Sequence, residues 1–271
     1  MTWRRLLGTL VVLTWAMPAG AATVTIGGTP VDDQGSFSTV AGATTVDFNA
    51  LTPGTQDVVA GIASYTSVNI FSCACSSTGD LLDDTTIGAR AFASDDFAID
   101  FSQPLSYFGL YWGSPDPGNL IRIFNGDTEL VSFSGKELLS LGVTEGLSGA
   151  AYVNFFAGPG ESFTRVEITG TEYPFETDNH AFEVVDPLVF ISDLITTIQT
   201  FGLSAGPTNA FTSKLDAAAA ALARNNTNAA CGQLGAFINS LSAGRGLGLT
   251  TAQVQLAQNK ANQLESIVGC R

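Results

Sequence analysis

The sequence predicts two architectures in series: an all-β sandwich, jelly-roll-like, over residues 23–186, and a small all-α four-helix bundle over residues 187–271. Three observations predict them. Apolar residues alternate with period two as far as Val184, they recur with period three and four beyond Pro187, and the charge balance changes sign at Asp186-Pro187. From Thr23 to Asp186 there are four basic residues, Arg90, Arg122, Lys136 and Arg165, against 22 acidic ones. Residues 187–271 carry five basic and three acidic residues.

The chain begins with Arg4 and Arg5, an apolar run from Leu6 to Trp15, and the small residues Ala19-Gly20-Ala21-Ala22. That order is the pattern of a secretory signal peptide over residues 1–22, with the mature chain starting near Ala22 or Thr23. Pro18 and Gly20 hold the apolar run to roughly a dozen residues, short of the ~20 that a spanning helix needs. No later run is long and apolar enough to serve as an anchor, so the mature chain is expected to lack a transmembrane segment. The acidic half repels nucleic acid and anionic lipid headgroups, which excludes both as expected partners. Divalent cations and neutral sugars remain open to it.

In the first half the inward-facing sets are Val46 and Phe48; Phe97, Ile99 and Phe101; Phe108, Leu110 and Trp112; Val131 and Phe133; Val153 and Phe155; Val166 and Ile168; and Phe182 and Val184. Such alternation gives each strand one buried face. Polar residues such as Asp100, Arg165 and Glu167 fall between them. Pro115-Asp116-Pro117-Gly118-Asn119 and Asn125-Gly126-Asp127 are turn sequences, the second a hairpin signal. Short strands with no helical period between them point to antiparallel rather than α/β architecture.

In the second half, Leu188, Ile191, Leu194, Ile195, Ile198 and Phe201 share one helical face. Phe211, Leu215, Ala218 and Leu222 share a second, Leu234, Phe237, Ile238 and Leu241 a third, and Val254, Ala257, Ala261, Leu264 and Val268 a fourth. Thr250 with Gln253 forms a capping box for the last helix, and Gly269 sits at its expected stop. All four cysteines lie in the exported part, where oxidation is expected. Four cysteines allow three connectivities. Pairing within each half gives Cys231–Cys270 and Cys73–Cys75, the latter geometrically tight at a separation of two residues.

Two stretches carry family resemblances. QPLSYFGLYWGSPDPGN at 103–119, the later FSGKELL and AYVNFF, and FETDNHAF at 175–182 resemble a family of bacterial surface proteins associated with the exosortase (PEP-CTERM) sorting system. The resemblance spans roughly residues 40–185 and implies a jelly-roll-like sandwich, secreted or at the surface of a Gram-negative-type bacterium. Members of that family end in a Pro-Glu-Pro motif, a transmembrane helix and basic residues, whereas this chain ends Ser266-Ile-Val-Gly-Cys-Arg271. Release or non-covalent retention is therefore the expectation. Residues 193–270 resemble a FIMAH domain through GPTNAFTSKLDAA, ACGQLGAFINSL and LTTAQ, which implies a non-catalytic helical interaction module.

Chemistry-bearing patterns are few. His180 is the sole histidine, on the last expected strand beside Ala181 and Phe182, where a structural role is the better reading. There is no phosphate-binding glycine loop and no zinc spacing. The acidic residues leave a carboxylate-based hydrolase open as an alternative without singling out a pair. A calcium site is the clearest candidate, with Asp116 and Asn119 after the WGS segment and Asp178 and Asn179 on the closing strand, provided that the two segments meet. The alternative is that these residues bond their own turns. Tyr107, Tyr111 and Trp112 form a candidate sugar-stacking platform, with burial of Trp112 the competing reading. The reading the residues support is a non-catalytic secreted or surface protein that binds a glycan, the extracellular matrix or a surface protein through its sandwich. A purely structural envelope or biofilm component is the third alternative.

Overall fold

The computed structural model describes residues 21–31, 35–72, 89–93, 97–113, 115–145, 149–171 and 175–270. Residues 1–20 of the expected signal peptide, and both Cys73 and Cys75, lie outside the described residues. The chain divides into two compact units, one of residues 1–157 and 163–183, the other of residues 158–162 and 184–271.

The first unit is built on β1 (Thr23–Ile26), β2 (Thr29–Val31), β3 (Gly35–Phe37), β4 (Thr44–Val46), β5 (Gly54–Ala60), β6 (Ala63–Ser72), β7 (Ala89–Ala93), β8 (Phe97–Gly113), β9 (Asn119–Asn125), β10 (Thr128–Ser134), β11 (Ala150–Phe156), β12 (Phe163–Gly170) and β13 (Phe175–Val184). One short helix, α1 (Gly135–Ser140), follows β10, capped by Ser134 and Glu137. β2 and β3 form a separate hairpin. The other eleven strands form one sheet in the order β10-β9-β12-β8-β13-β7-β6-β5, with β11 on β8, β1 on β11, β4 on β13 and a further pairing of β6 with β8.

The expected fold class is thereby corrected. The sequence reading separated Phe97–Phe101 from Phe108–Trp112 as two strands of a jelly-roll-like sandwich, but both belong to the 17-residue β8. Its first part pairs with β12 and β6, and its last part, Tyr107–Gly113, pairs with β11. The reason lies at Pro104. Opposite Phe163 the partner is Leu105, but opposite Arg165 it is Asp100, so Phe101–Pro104 are bulged out of the ladder. Proline has no N–H to give a ladder, and a bulge bends a strand without ending it. The result is one continuous antiparallel sheet, curled at that bend, in place of two separate sheets.

The curl encloses an apolar core that includes Tyr65, Ile99, Phe108, Leu110, Trp112, Ile121, Ile123, Phe155, Phe163, Val166, Ile168 and Phe175. Ile99, Phe108, Leu110, Trp112, Phe155, Val166 and Ile168 among them are inward positions of the alternating runs, whereas Val184, counted with those runs, is exposed. Gly135 is needed where α1 starts, because a Cβ there would lie 1.9 Å from the carbonyl oxygen of Asp116.

The expectation of a separate four-helix bundle is also corrected. Among the described residues there are five α-helices, and α1 lies among the strands, so helices are not confined to the C-terminal part. The second unit also takes in Gly158–Ser162, which lie between β11 and β12. Lys260 Nζ donates to the carbonyl of Pro159, and Gln263 Nε2 donates to Ser162 Oγ at 2.7 Å, which holds these residues to the last helix.

The helices of this unit are α2 (Pro187–Gln199), α3 (Ala205–Leu222), α4 (Thr227–Ala243) and α5 (Thr251–Val268). They share a core of Phe190, Ile191, Leu194, Ile198, Phe211, Leu215, Leu234, Phe237, Leu241, Val254, Ala257 and Leu264. Phe190, not Leu188, provides the buried anchor of the first turn, and Leu188 and Val189 are exposed. Asp186 caps α2 with Pro187 in its first turn, and the Thr250–Gln253 capping box and left-handed Gly269 bound α5 as the sequence indicates.

The Cys231–Cys270 disulfide is present, with an S–S distance of 2.02 Å across a separation of 39 residues. Closing such a loop contributes about 3–4 kcal/mol in the chain-entropy description. The double variant Cys231→Ser/Cys270→Ser is expected to lose about that much stability in urea unfolding monitored by far-ultraviolet circular dichroism. A helical transition that does not move would refute this role for the bond.

Candidate ligand-binding face

The residues singled out from sequence are mostly turned inward. Trp112 is fully buried, with its ring stacked on Phe175 at 4.2 Å between centroids and edge-on to Phe133. Tyr107 and Tyr111 are buried with Tyr152 and Ala181 in a small cluster of their own. Gly35, at φ +73°, lies against the Tyr111 ring, where a Cβ would come within 2.6 Å of a ring carbon, so the β2–β3 hairpin sits directly on that tyrosine. As a correction to the expected platform, Tyr107, Tyr111 and Trp112 present no open ring face to a sugar.

The four residues of the calcium candidate lie on two segments, each with hydrogen bonds of its own. In the turn after β8, the backbone N–H of Asp116 donates to Asn119 Oδ1 at 3.0 Å, and the N–H of Asn119 donates back to the Asp116 carbonyl at 3.0 Å. On β13, the N–H of Asn179 donates to Asp178 Oδ1 at 2.7 Å and its side-chain amide to the Ser36 carbonyl at 3.2 Å. The ring contacts Trp112–Phe175 and Phe108–His180 set β13 against β8. Asp178 therefore runs beside the middle of β8, while Asp116 and Asn119 lie in the turn past its Gly113 end. The first pair bonds its own turn, and the second bonds its own strand and the Ser36 carbonyl.

Around His180 lies a closed polar network. Its Nδ1 meets the Tyr65 hydroxyl at 3.2 Å and its Nε2 the Thr177 hydroxyl at 2.9 Å, while Phe48 stands edge-on to the imidazole at 5.0 Å. Nearby, the Tyr107 hydroxyl donates to Asn154 Oδ1 at 2.8 Å, the Tyr152 hydroxyl donates to the Asn179 carbonyl at 3.0 Å, and Asn154 Nδ2 donates to the Gly27 carbonyl at 2.8 Å. Burial raises the pKa of Tyr65, Tyr107 and Tyr152, and the Asp178 charge pushes Tyr65 and Tyr152 further in the same direction. The hydroxyls therefore stay protonated as donors. Burial lowers His180 to about 3, so the imidazole is neutral. This network fixes strands against one another, and Tyr65, Thr177 and His180 within it are buried.

An open groove among the described residues lies on the outer face of the sheet across β10, β9, β12, β8 and β6. Strand register lines up Ser132, Arg122, Glu167, Ala98 and Thr66 in one cross-strand row, and Phe124, Arg165, Asp100 and Ser64 in the next. Side chains at such positions project from one face and touch their cross-strand neighbours. Arg122 Nη2 donates to Glu167 at 2.6 Å, Arg165 Nε to Glu167 at 3.1 Å, and Arg165 Nη1 to both oxygens of Asp100 at 2.9 and 3.1 Å. Glu129 lies 3.8 Å from Arg122, whose guanidinium also covers the half-buried Phe124 ring at 5.5 Å. Where the row reaches Ala98 and Thr66 the side chains become short. That difference in height opens a groove of about 450 Å³ lined by Thr66, Ser67, Ala98, Arg122, Arg165 and Glu167 among others.

The sequence reading placed Arg165 and Glu167 on an outward strand face but did not join them to Arg122 or Asp100. Two of the four basic residues of an acidic half standing on alternating strands was the available signal; their meeting depends on register.

No protein-family pattern matches this chain, and no curated protein sequence matches it. Among solved structures, a partial likeness is to the structure of CBM51-2 in complex with GlcNAc and INT domains from Clostridium perfringens ZmpB. It is 8% identical, covers 66% of this chain and 37% of that one, and has a TM-score of 0.22. The chain thus spans little more than a third of that protein's length. A likeness that slight is compatible with glycan binding but carries no weight for it.

The His180 network makes a prediction about pH. The folded imidazole resists protonation down to about 3, whereas in the unfolded chain it takes a proton below its ordinary 6.5. Between those values the unfolded state binds the extra proton, so stability falls as pH falls through that window. Relative to His180→Gln, the wild-type protein should lose about 2 kcal/mol of unfolding free energy between pH 7.5 and pH 5. Urea unfolding of both proteins at the two pH values measures this, and parallel losses would show that the imidazole is not held neutral.

Proposed function

We propose that this is a non-catalytic exported binding protein that takes a glycan in the open groove on the outer face of its sheet. The observation that carries the reading is the groove itself. It is a concave, solvent-facing site of about 450 Å³ whose walls hold guanidinium donors and carboxylate acceptors in fixed positions. Sugar hydroxyls donate and accept at once, so a wall that alternates the two kinds of group, already oriented by its own pairing, suits them.

A hydrolytic reading would require an acid and a base free to act across a cleft. Here Asp100 and Glu167 both bond to Arg165, and the sole histidine is enclosed among Tyr65, Thr177 and Phe48. The resemblance of residues 40–185 to exported bacterial surface proteins supports placement of the protein outside the cell. The FIMAH-like segment supports an accessory role for the helices.

A glycan array probed with the purified protein tests this reading. Thr66→Trp would fill the short-chain part of the groove from an exposed strand position, and Arg165→Ala would remove its central donor. Each is expected to weaken glycan binding at least tenfold. Neither should lower the unfolding free energy by more than the ~1 kcal/mol of a surface ion pair. Failure to bind any glycan, or binding that neither change affects, would reject the groove as the site.

A further inference from the structure

We infer, resting on the glycan reading above, that the groove selects uncharged sugar units and rejects uronic, sialic and phosphorylated ones. The inference comes from how the charges on the face are already spent. Two cations, Arg122 and Arg165, stand against three anions, Asp100, Glu129 and Glu167, so the ladder as a whole carries −1.

An anionic sugar is recognised best by a guanidinium whose fork is open to a carboxylate or phosphate. Each guanidinium already faces two of the protein's own carboxylates. Arg165 presents Nη1 to both oxygens of Asp100 and Nε to Glu167, and Arg122 presents Nη2 to Glu167 at 2.6 Å with Glu129 beyond its Nη1. An incoming carboxylate would have to displace one of the protein's own and then stand beside it. The surroundings add to the penalty, since residues 23–186 hold four basic residues against 22 acidic ones.

What the ladder leaves available are the remaining guanidinium N–H groups, the outer lone pairs of the carboxylates, and the hydroxyls of Thr66, Ser67 and Thr169 beside them. These are single donors and acceptors interleaved over a short distance. An uncharged polyhydroxylated ring can satisfy both kinds without disturbing any ion pair. A cationic amino sugar fits less well, because it would have to compete with Arg165 and Arg122 for the same oxygens.

The test is a glycan array carrying each backbone in neutral and acidic form, for example β-1,4-linked mannose and β-1,4-linked mannuronate tetramers. It is followed by titration of the hits with the full mature protein at 50 and 500 mM NaCl. Neutral members should bind at least tenfold more tightly than their acidic counterparts, with less than a twofold change over that salt range. Binding should be lost in Thr66→Trp. The double variant Asp100→Asn/Glu167→Gln changes the ladder from −1 to +1 and removes two of the anions an incoming carboxylate would stand beside, and it should gain at least tenfold for the uronate tetramer.

Three results would overturn the inference in distinguishable ways. Preference of the wild-type protein for acidic glycans, lost in Thr66→Trp, rejects the charge selection and leaves glycan binding at the groove intact. Glycan binding that persists in Thr66→Trp rejects the groove. No binding to any array member rejects the glycan reading and the inference together.

Discussion

The sheet unit depends on one strand that never ends where its sequence invites it to. β8 pairs with β6 and β12 along its first part and with β11 along its last, and β13 lies beside it in the sheet order. Nearly every other strand reaches the rest of the sheet through it or through one of these four partners. Phe101–Pro104 make this possible by leaving the ladder opposite β12, which lets the strand bend while its backbone continues. The inward residues on either side of the bend, Ile99 and Phe101 before it and Phe108, Leu110 and Trp112 after it, then face a single core. Apolar burial of that size is the main favourable term of the fold, and it becomes available only because one strand is shared between both parts of the sheet.

That arrangement divides the polar residues of the strands into two populations with opposite physical roles. Those that are enclosed, Thr177, Asn179, His180, Tyr65, Tyr107, Tyr152 and Asn154, are buried, and a buried polar group must find partners or cost several kcal/mol. They find them across strands far apart in sequence: Tyr65 with His180, Tyr107 with Asn154, and Asn179 with Ser36. Such bonds specify register, because slipping a strand by one residue would leave several of these groups unpaired at once. Those on the outer side, Arg122, Arg165, Glu167 and Asp100, remain partly exposed. Their pairing contributes little to stability in water, so their lasting consequence is the shape and charge pattern of the face.

How much of this was legible in the sequence follows the same division. Alternation identified most of the inward residues it named, since period two is a property of each strand alone, but it counted Val184, which is exposed, and missed Ile121, Ile123, Phe163 and Phe175. It could not show that Phe97–Phe101 and Phe108–Trp112 are one strand, because Pro104 reads locally as a break and its bulge is defined only by the partner opposite. The helix ends at Thr250–Gln253 and Gly269 were readable because capping is local. The tetrad of Asp116, Asn119, Asp178 and Asn179 was ambiguous in sequence for the converse reason: Asp and Asn announce a local bond as readily as a shared ligand, and both pairs do make local bonds. Tyr107, Tyr111 and Trp112 misled in the same manner, since an aromatic run beside a loop looks exposed until the β2–β3 hairpin is placed over it.

The groove is legible only from register, and register also explains why it is polar. On the outer face a strand position has no core to fill, so selection there acts on what neighbours across the ladder can do together. Arg165 illustrates the point: its partners Asp100 and Glu167 lie 65 and two residues away in sequence, yet they meet one guanidinium because β8 and β12 are adjacent. Interchanging a small residue such as Ala98 with a large one on that row would leave every inward contact in place and remove the depression. The features that make the face a site are therefore independent of those that hold the fold. A glycan-binding surface can sit on this sheet because the bend in β8, the buried tyrosine and histidine network and the core already fix the strands beneath it.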